Sequence, residues 1–332
     1  MRHKKRRLSK KSMIRYPKSC RAGRVDVKKT RVLSCIGLLT CLAIIRAETP
    51  GIHFEYLASW GGPGKGAGEF RNPEGLAVGP AGFLYIADTG NHRIQKLAPS
   101  GEFVTEIGGF GWESGQFDTP VAVWAENGLD VFVADYQNHR IQRFDKDLHF
   151  IGTFRAEAHW PDHLVFGYPR DVALSAQGEL VCLDGQNRRI LKLDVAGRPQ
   201  ISFGGFDAGA GRLVEPRRLA FGRPGSIFVS GAEGITVFDY LGNFLYRFGD
   251  RILGNPADLC VVDDWIFVAD SGLKEVVCFL KPGHPSGRIR LPQILGMAFG
   301  EPVAVACLRN RIYVLDRKRC MIDVFLWKQP VE

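Results

Sequence analysis

Six X-Pro steps punctuate this chain, at Pro73, Pro120, Pro169, Pro216, Pro256 and Pro302, with spacings of 47, 49, 47, 40 and 46 residues. Each opens a short apolar run, such as Asn72-Pro-Glu-Gly-Leu-Ala-Val78 or Tyr168-Pro-Arg-Asp-Val-Ala-Leu174. A second apolar run follows and ends on Asp88, Asp135, Asp184, Ser230, Asp270 or Asp316. A third comes after a tight turn, as in Arg93-Ile-Gln-Lys-Leu97, and a Gly-containing turn leads to a fourth, such as Gly242-Asn-Phe-Leu-Tyr-Arg-Phe-Gly249. Self-similarity at this period describes a stack of supersecondary units, none able to bury its apolar face alone. The spacing holds four short strands and their turns, and Pro suits a strand's first residue because it lacks the donor a ladder needs.

The two ends of the chain sharpen the count. The sixth unit stops after its third run, Met321-Ile-Asp-Val-Phe-Leu326, with only Trp327 to Glu332 left. At the other end, His53-Phe-Glu-Tyr-Leu-Ala-Ser-Trp-Gly61 reads as a fourth strand placed ahead of the first X-Pro unit. Joined, they complete one blade, remove two exposed strand edges and fasten a ring. The expected fold is all-β, a six-bladed β-propeller of four-stranded blades over residues 51–330, its last blade completed by the N-terminal strand.

Two decapeptides repeat almost the same word 47 residues apart: Ile86-Ala-Asp-Thr-Gly-Asn-His-Arg-Ile-Gln95 and Val133-Ala-Asp-Tyr-Gln-Asn-His-Arg-Ile-Gln142. Phe70-x-x-Pro73, a strand ending on Asp88, and Asn91-His-Arg-Ile94 together resemble the NHL repeat. Asn138-His-Arg-Ile141 and Asn187-Arg-Arg-Ile190 repeat the pattern, while units four to six keep the apolar skeleton and lose those words. The resemblance covers about residues 53–327 and implies a six- or seven-bladed propeller; the count of six comes from this chain.

Charge separates the chain into two parts. The whole carries +9, but residues 1–31 hold 14 Lys or Arg against Asp26 alone, and the remainder has 30 basic and 34 acidic residues, a net of −4. Nucleic-acid binding draws most of its affinity from phosphate neutralisation by a basic surface. A slightly acidic body is therefore not expected to bind nucleic acid. After the basic stretch come the 14 residues of the apolar run Val32–Ile45 and then Arg46-Ala47-Glu48, the layout of a signal peptide, with Ile45 and Ala47 at the positions a signal peptidase reads. A spanning helix needs about 20 apolar residues, so an uncleaved anchor is the second choice. Leu38-Leu-Thr-Cys41 faintly resembles a lipoprotein signal that would lipidate Cys41, Arg6-Arg7 is a weaker twin-arginine cue, and Met13 is an alternative start. Residues 1–47 are thus read as a basic leader plus signal peptide or membrane anchor. The protein is expected to be exported to the periplasm, the exterior or the outward face of a membrane, touching that membrane only through this segment.

Most motifs that suggest chemistry have a plainer reading. His92 and His139 occupy one place in successive repeats, and the third unit has Arg188 there, which points to a turn role. Asp88, Asp135 and Asp184 suit strand ends, where short carboxylates accept backbone N–H bonds. Gly61–Phe70 superficially resembles a phosphate loop but lacks Gly-Lys-Ser/Thr and recurs in later units as a linker. The insert Ala156–Leu164 holds His159, Asp162 and His163, weak metal candidates with Pro161 disfavouring a helix across them. Among the body cysteines Cys182, Cys260, Cys278, Cys307 and Cys320, five cannot all pair, no two show CxxC spacing, and most fall at interior strand positions, so buried free thiols are expected.

The pattern breaks in a more informative way just after the prolines. Those positions read Glu74-Gly75, Val121-Ala122, Arg170-Asp171, Arg217-Arg218, Ala257-Asp258 and Val303-Ala304, with charge gathered on units three to five. In a propeller they line one mouth of the central channel, where low-dielectric walls strengthen a charged group's pull on a partner. Glu74, Arg170, Asp171, Arg217, Arg218 and Asp258 are the candidate binding residues, though the first expectation is that Arg170, Asp171, Arg217, Arg218 and Asp258 neutralise one another in a salt-bridge ring. No catalytic constellation is evident. The sequence is read as an exported, non-enzymatic scaffold that binds a protein or peptide at this mouth, without a cofactor. The alternative is a channel-type enzyme like the metal-dependent lactonases and lyases among similar propellers, with Ca or Zn held by Glu74, Asp171 and Asp258.

Overall fold

A computed structural model describes residues 53–222, 225–280, 293–294 and 299–328. The chain divides after Ala47 into two units, and the leader, with its signal-peptide, Cys41 and Met13 readings, lies outside the described residues. The second unit is built from six four-stranded antiparallel sheets. Strand β1 (His53–Gly61) comes first in sequence. Blade one is β2 (Gly75–Val78), β3 (Leu84–Asp88), β4 (Arg93–Leu97) and β5 (Phe103–Gly108). Blade two is β6 (Pro120–Trp124), β7 (Asp130–Asp135), β8 (Arg140–Asp145) and β9 (Phe150–Arg155), and blade three β10 (Pro169–Leu174), β11 (Leu180–Asp184), β12 (Arg189–Leu193) and β13 (Pro199–Phe203). Blade four is β14 (Arg218–Gly222), β15 (Ser226–Gly231), β16 (Gly234–Phe238) and β17 (Phe244–Phe248), and blade five β18 (Pro256–Val262), β19 (Trp265–Asp270), β20 (Glu275–Leu280) and β21 (Gln293–Ile294).

Blade six contributes β22 (Pro302–Leu308), β23 (Arg311–Asp316) and β24 (Met321–Lys328), and its fourth strand is β1. The register runs from His53 opposite Lys328 to Gly61 opposite Met321, with one bulge between Tyr56 and Ala58. The inner strands β2, β6, β10, β14, β18 and β22 each touch the next, and β22 touches β2, so the ring is closed.

Burial follows from a strand's place in its blade. The second strands β3 and β19 are buried at every position, because neighbouring blades cover both faces, whereas outer strands such as β5 and β9 alternate with solvent. The apolar runs read from the sequence are therefore inter-blade core: Val121, Phe132, Val172, Leu191 and Leu219 belong to one cluster that spans blades two to four. Each such side chain contributes about 1.5–3 kcal/mol relative to exposure. Glycine matters where backbones approach closely. A Cβ on Gly75 would lie 2.9 Å from both Ala122 Cα and Val121 O on the next inner strand, and one on Gly101, at φ +90°, would meet the Trp60 ring of β1 at 2.4 Å.

The recurring polar words are staples. Asp88, Asp135, Asp184, Asp270 and Asp316 are each 0% exposed and accept backbone N–H bonds from the segment leading into their own blade, for example Arg71 N to Asp88 Oδ1 at 2.7 Å and Gly254 N to Asp270 Oδ2 at 2.7 Å. In blade one the other Asp88 oxygen accepts from Asn91 Nδ2 and Arg93 Nε, both at 2.8 Å. The Arg93 Nη groups reach back to the carbonyls of Lys65, Gly66 and Glu69, so the glycine-rich segment is a clamped linker. His92, His139 and Arg188 all sit at positive φ, 52°, 51° and 52°, in the tight turn between the second and third strands. His92 Nδ1 and His139 Nδ1 accept from Thr119 N and Tyr168 N of the following blade, each at 3.3 Å.

The cysteines depart from expectation. Cys260 on β18 and Cys307 on β22 form a disulfide between the inner strands of blades five and six, while Cys182, Cys278 and Cys320 are buried free thiols. Cys260 and Cys307 are 47 residues apart, one more than the 46 from Pro256 to Pro302, and that extra residue turns the two side chains toward each other from adjacent strands of the channel wall.

Candidate functional site

One mouth and the channel beneath it collect most of the charge that the sequence singles out. Because every inner strand starts at the same end of the ring, the residues following the prolines converge there. A cavity of about 450 Å³ at this mouth is lined by Glu74, Arg170, Arg188, Arg217, Arg218, Glu301 and Arg317, among others. Below it lies a narrower channel of about 140 Å³ walled by the inner strands, into which Asp171 and Asp258 face.

Arg218 is the floor between the two. Its side chain leaves blade four and crosses the axis: Nη2 donates to Glu74 O at 2.8 Å and to Val121 O at 2.7 Å, on blades one and two. Nη1 donates to Arg170 O at 3.2 Å and Arg217 O at 3.0 Å. Four carbonyls from four blades thus point at one buried guanidinium.

Asp171 and Asp258, expected at the mouth, lie within the channel and stitch blades together. Asp171 Oδ1 accepts from Val172 N at 2.9 Å and Oδ2 from Leu219 N of blade four at 2.7 Å. Asp258 repeats the device, with Leu259 N at 2.8 Å and Val305 N of blade six at 2.9 Å. Burial pushes the Asp171 carboxyl up to about 7 and that of Asp258 up to about 6, against the opposing pull of the Arg218 charge. Glu126 lines the channel and is exposed at its surface, yet surrounding protein, with the Asp258 charge adding to it, raises its carboxyl as well.

The mouth itself is divided by sign. On blades one and six, Arg317 pairs with Glu301, Nε to Oε2 at 3.1 Å, and with Glu74 Oε1 at 3.3 Å; its hydrogen bond to Glu301 holds the guanidinium above its ordinary range. On blades three and four, Arg170, Arg188 and Arg217 form no ion pair among the described residues; Arg170 lies over the Tyr136 ring at 5.4 Å. Burial lowers the Arg217 guanidinium from its ordinary range, Glu215 opposes this, and Arg170 and Arg218 add to it. The expected salt-bridge ring among the candidate residues is not formed.

Of those candidates the structure brings Glu74, Arg170, Arg217 and Arg218 to one cavity. Sequence reading missed Arg188, Glu301 and Arg317. Arg188 stands in the histidine position of the NHL word, and Glu301 directly precedes a repeat proline, so the period itself marks both.

The proposed metal ligands are not assembled: Asp171 and Asp258 each use both oxygens on backbone N–H groups, and Glu74 faces Arg317. His159 pairs with Glu157 at 3.3 Å on an exposed insert anchored by buried Trp160. Among the described residues no group of three or more His, Cys, Asp or Glu side chains converges on one point. The opposite end of the channel opens into a cleft of about 770 Å³ beside Trp124, Phe221, Tyr240, Glu126 and Asp263.

Ring, blade pairing and plugged axis define a six-bladed β-propeller. The NHL repeat family matches residues 70–97, the linker and first three strands of blade one. Brain tumor of Drosophila melanogaster is 31% identical over 124 residues, which is 36% of this chain and 12% of that protein. Among solved structures, a gluconolactonase of Xanthomonas campestris superposes with a TM-score of 0.60 at 16% identity, covering 79% of this chain and 88% of its own. Virginiamycin B lyase of Staphylococcus aureus does so with a TM-score of 0.53 at 12% identity, covering 83% and 99%. At such identities the structural likeness concerns the fold alone.

Proposed function

We propose that this protein is an exported binding module that holds a protein or peptide partner at the arginine-lined mouth, with no catalysis and no cofactor of its own. The observation that carries the reading is the set of three guanidiniums, Arg170, Arg188 and Arg217, that border one cavity and form no ion pair among the described residues, although Glu215 also lines it. Arg170 and Arg188 are exposed and Arg217 is half-buried, and an arriving acidic group offsets the desolvation of Arg217 and gains from the other two charges. The basic leader and apolar run support export, and the net charge of −4 over the remainder argues against a nucleic-acid partner.

The lactonase- or lyase-like alternative finds less support. Channel enzymes need ligands free to converge, whereas here the channel carboxylates are occupied by inter-blade hydrogen bonds and Arg218 closes the axis.

The test is a cross-linked pull-down with the full chain in its own host, comparing wild type with the Arg170→Glu, Arg217→Glu double variant. A partner lost from the variant while the thermal midpoint is unchanged is the expected result. Identical partner sets from both proteins would sink the proposal.

A further inference from the structure

The arginine-lined cavity has a floor, and that floor restricts what it can hold. Arg218 already donates to four backbone carbonyls, so it closes the cup as a structural plug and offers nothing further to a ligand. A polypeptide cannot thread the ring past it; what enters must be an end. The cup's volume, about 450 Å³, lies in the usual range for a small-ligand site and suits a chain terminus better than a passing loop, which must bring two chain segments down the same opening.

Charge selects between the two kinds of end. The unpaired cations stand together on blades three and four, and planar guanidinium forks bind a carboxylate bidentately. The fold fixes the backbone from which they reach: Arg170 follows Pro169, Arg217 follows Pro216, and Arg188 occupies a turn at φ 52°. The opposite wall, where Glu74 and Glu301 meet Arg317, presents acceptors toward the N–H groups of a descending backbone. Building on the reading of this mouth as a partner site, we propose that the cup captures the C-terminal carboxylate of a peptide, gripped by Arg170 and Arg217 with Arg188 closing over it.

The experiment is affinity selection on the full chain with two random hexapeptide libraries, one with free C-terminal acids and one amidated, read by mass spectrometry. Wild type is expected to enrich free acids over the corresponding amides by about tenfold or more. Arg170→Gln and Arg217→Gln should abolish this enrichment and Arg188→Gln weaken it, while the exposed control Arg198→Gln keeps it; matched thermal midpoints establish that each variant folds. Equal recovery of acids and amides, or enrichment that survives Arg170→Gln and Arg217→Gln, overturns the proposal. Selection of Asp- and Glu-rich amides assigns the site to side-chain carboxylates and overturns it too. If neither library yields a binder while partner recovery still depends on Arg170 and Arg217, the terminus proposal falls and the broader reading stands; if recovery is also independent of them, both fall.

Discussion

Arg218 shows how far a residue's type can be read from sequence without its task. Its place after an X-Pro step predicts a position near the mouth, yet its partners are carbonyls up to 144 residues away, and carbonyls leave no trace in a residue pattern. Asp171 and Asp258 are similar: their spacing places them near the axis, but only the packing of one inner strand against the next shows that they bond to its N–H groups. Arg218→Met should destabilise the fold by about 2–4 kcal/mol in urea denaturation, since it strands carbonyls and leaves both aspartates without the cation that offsets their burial. A loss under about 0.5 kcal/mol, typical of an uninvolved surface position, contradicts the plug. The same aspartates set a pH dependence. Their folded values of about 7 and about 6 lie above the ordinary 3.8, so the unfolded chain releases these protons first as pH rises. That stability is complete below the unfolded value and gone above the folded ones. Urea midpoints should therefore fall between about pH 5 and pH 7.5, a window in which carboxylates lowered by the fold, such as Asp147 at about 2, are ionised in both states. A midpoint that rises across this window would be the wrong sign.

At the scale of strands and blades the sequence is nearly transparent, because the blade is a local unit and its signals are local. X-Pro marks each first strand, Asp or Ser ends each second, and His53–Gly61 reads as an orphan fourth strand, the span β1 occupies. The Asn-His-Arg words prove to be the clamp that holds each linker through Asp88, Asp135 and Asp184. The disulfide was not legible, since strand alternation speaks only to whether a cysteine faces inward; its signal was the 47-residue separation, one residue beyond the 46 from Pro256 to Pro302. This bond ties the two last inner strands across a long loop. The Cys260→Ser, Cys307→Ser double variant is expected to lose about 2–4 kcal/mol in denaturant titrations, and a reductant should destabilise wild type but leave the variant unchanged. Equal sensitivity of both proteins to reductant would mean that the bond does not form in solution.

For the molecule as a whole, the ring gives the two ends of its channel different character: a cup with unpaired arginines at one, a cleft with Trp124, Phe221 and acidic Glu126 and Asp263 at the other. Neither end follows from the formal charge of +9, most of which belongs to the first 31 residues. Closure is equally a property of the whole, because β1 pairs with β24 and Ser59 Oγ donates to Asp323 across 264 residues. Deleting residues 1–61 should leave the β24 edge open, and size-exclusion chromatography should show association in place of a monodisperse peak. A monomer with an unchanged thermal midpoint would mean that the ring does not depend on its first strand.

That closure also carries a schedule. During synthesis β1 is made before the other described strands, yet its seat in the ring, beside Met321–Lys328, is made after them. At about 5–20 residues per second, it waits from roughly a quarter of a minute to nearly a minute before its partner exists. Five blades can assemble in that interval, while Tyr56, Leu57 and Trp60 wait ahead of them in the chain without their β24 partner. The first strand of the ring is therefore the last of its strands to be seated, and whatever handles the chain in transit meets it unpaired.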